Sequence, residues 1–219
     1  MKIFLDTAKI EEIRHWSKKG IIDGVTTNPT IMLKDGVDNI RANICQIAQL
    51  LENRPVSIEV TTDNPQEIVE QAKEFSSWAD NIVVKIPVID PKGNDMLEVI
   101  YSLGKSGIRV NVTALMSFNQ AILAVKAGAN FISIFAGRVC DEGHDAATLI
   151  QQIRNWLDSW NYRSEIIVGS IRSVMDIQLA AINGAHIITI PPKFMYKMCD
   201  HMYTRETVRT FLEDSRREP

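Results

Sequence analysis

The sequence predicts an α/β protein, a single-domain (β/α)8 TIM barrel, and three observations support this fold. Short apolar runs rich in β-branched residues alternate with longer amphipathic stretches along the whole chain of 219 residues. Eight strand-and-helix units follow one another without a linker or a shift in composition. The length suits one large core better than two ordinary domains. We therefore expect one catalytic domain over residues 1–219.

The predicted strands are 3–5, 24–26, 56–60, 82–87, 108–112, 131–135, 166–169 and 186–190. The predicted helices are 10–19, 37–51, 65–78, 96–104, 118–127, 146–160 and 174–182, followed by an extra C-terminal helix at about 205–217. The extra helix either packs on a neighbouring subunit or caps its own barrel. A doubly wound sheet is the alternative fold, but it would more often have a glycine-rich loop where this chain has Asp6-Thr7-Ala8.

Charge and composition narrow the class of protein. A net charge of −3 argues against broad nucleic-acid binding, which needs a basic face. The apolar runs fall short of a membrane span. Cys45, Cys140 and Cys199 are far apart and form no Cys-x-x-Cys pair, which favours a reducing, cytoplasmic setting over a disulfide framework or a zinc site.

Lys85 is the most informative residue, because it interrupts the apolar run 81–88. A buried ammonium group is costly unless another group pairs with it or it releases its proton. A neutral amine in a dry pocket can attack a carbonyl carbon and form a Schiff base. The alternative is a lysine that points to water from an edge strand.

Other polar residues follow the predicted strands at the end where barrel enzymes hold their active sites. They are Asp6, Thr26, Asn28, Glu59, Asn111, Thr113, Ser133, Arg138, Ser170 and Arg172. Each group has a structural alternative. Asp6 or Thr7 would cap the first helix, Asn28 would form a turn, and Glu59 with Lys85 would form a buried ion pair. Ser170 and Arg172 would serve a helix start and solvent. Polar groups gathered at one end of eight strands cost stability, which favours a site.

Five segments carry a family resemblance over essentially the whole chain. They are Phe4-Leu5-Asp6-Thr7-Ala8, Gly24-Val25-Thr26-Thr27-Asn28-Pro29, Ile82-Val83-Val84-Lys85-Ile86-Pro87-Val88, Asn111-Val112-Thr113-Ala114 and Gly137-Arg138. With them the chain resembles the small transaldolases and the related fructose-6-phosphate aldolases. The resemblance implies a barrel that works through a lysine Schiff base, with no cofactor and no metal.

The resemblance also assigns roles to residues. Lys85 matches the Schiff-base lysine, and Asp6 matches the residue that moves the hydroxyl proton at the bond being broken. Glu59 and Thr113 match the pair that holds a catalytic water. The expected substrate-binding residues are Asn28 and Asn111 at the three-carbon unit, Arg138, Ser170 and Arg172 at the phosphate, and Thr26, Ser133 and Phe135 around them.

Within this family the chain is similar to the transaldolase branch. Glu59 stands where the aldolases have Gln, and Phe135 stands where they have Tyr. The implied reaction converts sedoheptulose 7-phosphate and glyceraldehyde 3-phosphate to erythrose 4-phosphate and fructose 6-phosphate. The family also assembles as rings, which implies a homo-oligomer such as a pentamer or decamer.

Three other functions compete with transaldolase. One is a fructose-6-phosphate aldolase that releases free dihydroxyacetone, and another is a sugar-phosphate-binding barrel without turnover. A metal enzyme would use the loop residues Asp141, Glu142, His144 and Asp145.

Overall fold

The computed structural model describes residues 1–217, so the last two residues of the predicted domain lie outside the described part. Eight parallel strands close a barrel in chain order, with β1 pairing with both β2 and β8. They are β1 Lys2–Asp6, β2 Gly24–Thr26, β3 Val56–Glu59, β4 Ile82–Pro87, β5 Val110–Leu115, β6 Phe131–Phe135, β7 Glu165–Gly169 and β8 Ile187–Ile190. The predicted barrel is confirmed, and the doubly wound alternative is wrong because the sheet closes on itself.

Helices surround the barrel and shield the outward faces of its strands. They are α1 Ile10–Ser17, α2 Pro29–Lys34, α3 Ile40–Leu51, α4 Pro65–Ser76, α5 Leu97–Lys105, α6 Phe118–Lys126, α7 Ala136–Asp141, α8 Ala146–Ser159, α9 Val174–Ile182, α10 Pro192–Cys199 and α11 Met202–Asp214.

The interior of the barrel is apolar at one level and polar at the next. The apolar cluster is formed by Phe4, Val83, Phe131, Ile167 and Ile187. Side chains alternate along a strand, so the residue two positions further on points the same way. Those residues are Asp6, Lys85, Ser133, Gly169 and Thr189. The polar layer therefore lies directly above the apolar cluster, towards the C-terminal ends of the strands.

Gly24 makes room for the Phe4 ring, one of the two phenyl rings in the apolar cluster. It lies opposite Phe4 on the neighbouring strand. A Cβ atom at Gly24 would come within 2.7 Å of the Phe4 ring and 2.8 Å of the Pro55 carbonyl oxygen. Only glycine therefore lets β2 pass close to Phe4 without displacing it.

Three short helices were absent from the predictions. They are α2, α7 and α10, each only six to eight residues long, too short for a helical period to emerge from the sequence. The predicted helix 37–51 begins instead at Ile40, because the Asn39 side chain caps it by accepting a hydrogen bond from Ala42 N.

The strand β5 lies later than predicted, at Val110–Leu115 instead of 108–112. Ile108 N still donates to the Leu103 carbonyl at the end of α5, so the strand cannot begin there. It continues beyond Val112 because a bulge places three residues of β5 opposite two of β6. Ala114 sits within the bulge at a φ of 58°.

The last helix, α11, buries none of its residues against the barrel. Tyr203 is 64% exposed and Phe211 is 66% exposed, and Val208 and Leu212 are about half exposed. The structure therefore gives no support for α11 as a cap on its own barrel.

Candidate active site

Lys85 is buried inside the barrel, with only 4% of its surface exposed. Its Nζ atom donates a hydrogen bond to the Thr27 carbonyl oxygen at 2.9 Å and lies 3.0 Å from Glu59 Oε2. Glu59 is the residue opposite Lys85 on β3, so strand register alone brings the pair together. The alternative of an edge-strand lysine is wrong, because a closed barrel has no edge.

Asp6 lies at the end of β1 and shares the polar layer with Lys85. Its Oδ1 atom accepts a hydrogen bond of 2.7 Å from Thr26 Oγ1. Burial raises the pKa of Asp6 above its ordinary value, although the Thr26 hydrogen bond and the charge of Lys85 both act to lower it. Asp6 does not cap the first helix, whose N-cap is Lys9.

Thr189 is a site residue that the sequence analysis missed. It lies at the polar level of β8, and its hydroxyl is hydrogen-bonded to the hydroxyl of Thr26. Thr189, Thr26 and Asp6 thus form a chain of hydrogen bonds across three neighbouring strands. The sequence could have indicated it, because Thr189 is the one polar residue of the otherwise apolar strand Ile187–Ile190.

Asn111 and Ser133 form a second buried pair. Ser133 Oγ donates to Asn111 Oδ1 at 2.7 Å, and the Asn111 amide reaches Ser57 Oγ at 3.4 Å. Thr113 lies on the same strand and is fully buried, and its Oγ1 atom has no hydrogen-bond partner within residues 1–217. A buried hydroxyl that lacks a protein partner is suited to holding a water molecule.

Asn28 joins the site through the short helix α2. Its Oδ1 atom accepts a hydrogen bond from Ile31 N at 2.8 Å, so the side chain caps the helix. The turn alternative is therefore wrong, because Asn28 is extended and caps a helix instead of forming a turn. The cap occupies only the carbonyl oxygen of the side chain, and Asn28 with Pro29 also lines the central cavity.

The two arginines are placed differently. Arg138, on α7, lines the cavity, and no carboxylate among residues 1–217 forms an ion pair with it. Arg172 does not line the cavity, and its Nη2 atom lies 2.8 Å from Asp141 Oδ2. The helix α9 is capped by Ser173 with Asp176 rather than by Ser170.

Gly137 allows α7 to approach the loop after β7. A Cβ atom at this position would lie 2.1 Å from the Ser170 carbonyl oxygen and 2.9 Å from Arg172 Nε. Ser170 itself has a φ of 60°, an uncommon conformation for a residue other than glycine. Such backbone conformations cluster at functional sites, which fits the position of Ser170 at the mouth of the barrel.

Nine of the twelve predicted site residues line one cavity of about 440 Å³ at the C-terminal mouth of the barrel. They are Asp6, Thr26, Asn28, Glu59, Lys85, Ser133, Phe135, Arg138 and Ser170. Asn111 and Thr113 are fully buried and do not line the cavity, and Arg172, paired with Asp141, does not line it either. The other lining residues were not among the predicted site residues; they are Pro29, Thr30, Ala114, Gly169 and Thr189.

The loop considered for a metal site has other contacts. Asp141 pairs with Arg172, and Asp145 caps α8 by accepting hydrogen bonds from Ala147 N and Thr148 N. No group of three or more potential ligands in the described part of the chain is arranged to hold a metal ion. A membrane-crossing helix is likewise not found within residues 1–217, since none is both long and apolar enough.

A buried lysine beside a carboxylate, at the C-terminal mouth of a parallel barrel, is an arrangement suited to an enzyme that binds carbonyl compounds as Schiff bases. The Transaldolase/Fructose-6-phosphate aldolase family profile matches residues 3–218. The chain belongs to this family.

Curated relatives agree with that family. A probable transaldolase of Dehalococcoides mccartyi is 42% identical over 214 residues, which cover 98% of this chain and 97% of the relative. A probable transaldolase of Streptococcus agalactiae is 44% identical over 214 residues with the same coverage.

Solved structures add evidence on the fold alone. Two mandelate oxidase structures superpose with TM-scores of 0.60 and 0.58 at 12% identity. The match covers 87% of this chain but only 64% and 65% of the oxidases, so this chain spans less than two thirds of their length. The shared feature is the barrel.

Proposed function

We propose that this protein is a transaldolase that transfers a dihydroxyacetone unit between sugar phosphates. The observation that carries the proposal is the buried Lys85 amine, 3.0 Å from Glu59 Oε2, in a cavity that also contains Asp6. The names of the curated relatives support the same activity. The substrates are then sedoheptulose 7-phosphate and glyceraldehyde 3-phosphate, and the products are erythrose 4-phosphate and fructose 6-phosphate.

The first half of the proposed reaction forms the Schiff base. Lys85 passes a proton to Glu59, and the free amine attacks the ketone carbon of the ketose phosphate to give a carbinolamine. Glu59, through a water held by Thr113, returns a proton to the carbinolamine hydroxyl, which leaves as water. The product is an iminium ion that can accept an electron pair.

The second half breaks and remakes a carbon–carbon bond. Asp6 takes the proton of the C4 hydroxyl, the C3–C4 bond breaks, and its electron pair moves into the iminium. An aldose phosphate leaves, and the three-carbon unit stays bound to Lys85. An acceptor aldehyde phosphate then enters, and the same steps run in reverse.

Binding of the substrate is assigned to the other predicted site residues. Asn28 and Asn111 hold the three-carbon unit, with Thr26 and Ser133 around it. Arg138, with Ser170, binds the terminal phosphate, because an unpaired guanidinium can donate two parallel hydrogen bonds. Arg172 can join them only if its side chain leaves Asp141, since in this structure the two are paired.

Phe135 supports transfer over release of free dihydroxyacetone. A bound carbanion that is protonated quickly is hydrolysed from the lysine, whereas one protonated slowly waits for an acceptor. Phe135 lines the cavity and has no hydroxyl that could supply this proton.

Borohydride trapping tests the proposal. Incubation with fructose 6-phosphate and borohydride should attach the substrate irreversibly to Lys85, and peptide mapping should locate it there. The variant Lys85→Met should show neither the adduct nor transfer. An unmodified wild-type protein with no transfer would favour the binding-protein alternative, and free dihydroxyacetone as main product would favour the aldolase.

We also propose a cytoplasmic homo-oligomer, as a ring of five subunits or a pair of such rings. The exposed apolar face of α11, which includes Val208, Phe211 and Leu212, supports assembly because an isolated chain would leave it in water. Light scattering should give the mass of the oligomer, and Phe211→Asp should lower that mass. A monomeric wild-type protein would contradict this part.

A further inference from the structure

Asp35 is a nearly buried carboxylate that the proposed reaction does not use. It follows the last residue of α2, and its side chain is 10% exposed. Its Oδ2 atom accepts hydrogen bonds from Thr7 Oγ1 at 2.7 Å and from Ala8 N at 2.8 Å. Thr7 and Ala8 are the two residues that directly follow Asp6. A negative charge is therefore fixed immediately behind the candidate base.

The charge of Asp35 is only weakly neutralised. Its nearest cation, Lys9 Nζ, lies 4.0 Å away on a side chain that is 56% exposed. The charged groups that face Asp6 from the other elements are Lys85 on β4 and Glu59 on β3, with Arg138 on α7 across the cavity. Asp35 and Glu59 add to burial in raising the pKa of Asp6, because like charges favour the protonated form.

Asp35 also connects two walls of the cavity. The helix α2 begins beside the cavity, where Asn28, Pro29 and Thr30 line it, and ends at Asp35. The hydrogen bonds to Thr7 and Ala8 join this end of the helix to the end of β1. One side chain thus fixes Asn28 and Asp6 relative to each other.

We propose that Asp35 is a positioning residue whose fixed negative charge strengthens Asp6 as the proton acceptor for the C4 hydroxyl. Its hydrogen bonds keep the end of β1 in place, and its charge makes proton uptake by Asp6 more favourable. The proposal rests on the proposed function for its catalytic consequence. The effect on Asp6 itself can be measured without any turnover.

The central experiment compares Asp35→Asn with Asp38→Asn. Asp38 is exposed, so the second variant makes the same charge change three residues away. Carbon-13 NMR of carboxyl-labelled aspartates follows the titration of Asp6, which Asp6→Asn assigns. Asp35→Asn should move the Asp6 midpoint to lower pH by about half a pH unit, the size expected of one nearby charge. Asp38→Asn should leave it unchanged.

Activity provides the second measurement. A weaker base should lower the rate of carbon–carbon cleavage at neutral pH by about twofold and move the acid limb of the pH profile in the same direction as the NMR midpoint. Formation of the borohydride adduct should not change. Asp35→Glu keeps the charge and should retain the wild-type acid limb of the pH profile. Thr7→Val removes a hydrogen bond to Asp35 but leaves its charge, so it should not move the acid limb to lower pH.

The outcomes separate this proposal from the proposed function. An Asp6 midpoint that is the same in Asp35→Asn and wild type would overturn the role of Asp35, whatever the activity. A shifted midpoint in a protein without transfer would support that electrostatic role and sink the transaldolase assignment. If Asp35→Asn does not fold, Lys9→Gln decides, because removing that cation should raise the midpoint, and an unmoved midpoint overturns the proposal.

Discussion

Lys85 and Glu59 occupy opposite positions on neighbouring strands, and their Nζ and Oε2 atoms lie 3.0 Å apart inside the barrel. The contact stabilises a buried ammonium group, whereas attack on a carbonyl needs a free amine. The same carboxylate that stabilises the charge is therefore the nearest acceptor for the proton that must leave. In the proposed reaction, Glu59 therefore serves formation of the Schiff base, whereas Asp6 serves cleavage of the C3–C4 bond.

Glu59→Gln should slow formation of the Schiff base by about a hundredfold, since general acid–base groups contribute factors of this order. The amide can accept a hydrogen bond from Lys85, but it cannot take up its proton. The measurement is the rate at which the borohydride-trapped adduct accumulates in rapid-quench experiments. Glu67→Gln, at the exposed start of α4, is the matched control. Equal adduct rates in both variants would contradict this role for Glu59.

Thr189→Val should slow carbon–carbon cleavage by about two- to tenfold, the range that corresponds to one net hydrogen bond. Valine keeps the shape of the side chain but removes the hydrogen bond between the hydroxyls of residue 189 and Thr26, so Thr26 keeps only its hydrogen bond to Asp6 among those that the structure describes. Single-turnover release of the aldose phosphate measures this step. Thr189→Ser should restore it, and Ser164→Ala removes a buried hydroxyl outside the cavity as a control. An equal loss of cleavage rate in Thr189→Val and Ser164→Ala would point to general destabilisation.

The barrel and most of the cavity followed from the sequence because both depend on strand pattern. A lysine within an apolar run can be seen in a sequence, and parallel strands bring their C-terminal ends to one mouth. The pairing of Lys85 with Glu59 needs only the register that the barrel imposes.

Contacts between loops could not be predicted in the same way. The pairing of Arg172 with Asp141 joins positions 31 residues apart, and the hydrogen bond that Thr7 Oγ1 donates to Asp35 Oδ2 joins positions 28 residues apart. Asp141 and Asp35 lie at the ends of the short helices α7 and α2. No periodic pattern records such contacts. The expectation that Arg172 faces the phosphate therefore rested on resemblance alone, and the structure shows a competing partner for it.

Phe135→Tyr should raise the release of free dihydroxyacetone relative to transfer. The new hydroxyl would lie at the cavity, where it could protonate the bound three-carbon unit. The ratio of free dihydroxyacetone to transferred product, measured with and without acceptor, reports the change. Phe118→Tyr adds the same hydroxyl on the outer helix α6 and should leave the ratio unchanged. An unchanged ratio in Phe135→Tyr would remove this explanation of reaction type.

Arg138→Ala should raise KM for phosphorylated acceptors by about 10- to 100-fold, which corresponds to the loss of a charged hydrogen bond. Unphosphorylated acceptors such as glyceraldehyde should be affected far less. Steady-state kinetics with both acceptors measures the difference, and the exposed Arg163→Ala controls for the change in net charge. Equal losses on both acceptors would exclude a phosphate role for Arg138.

His186 should make the folded state less stable as the pH falls. Its Nδ1 atom accepts a hydrogen bond of 3.0 Å from Ile166 N, which requires the neutral ring, and burial lowers the pKa of His186. The unfolded chain therefore binds a proton more readily than the folded chain. The contribution of His186 to stability is present above the pKa of histidine in the unfolded chain, which is about 6.5. It is lost as the pH falls from there towards the lower pKa of His186 in the folded protein.

Thermal unfolding between about pH 7.5 and about pH 5.5 should show this loss in the wild type. His186→Asn keeps an acceptor but does not titrate, so its melting temperature should fall less over the same interval. The exposed His144→Asn should behave like the wild type, because its ring is open to water in both states. If the melting temperatures of His186→Asn and the wild type fall by the same amount over this pH interval, His186 does not control the acid stability of the barrel.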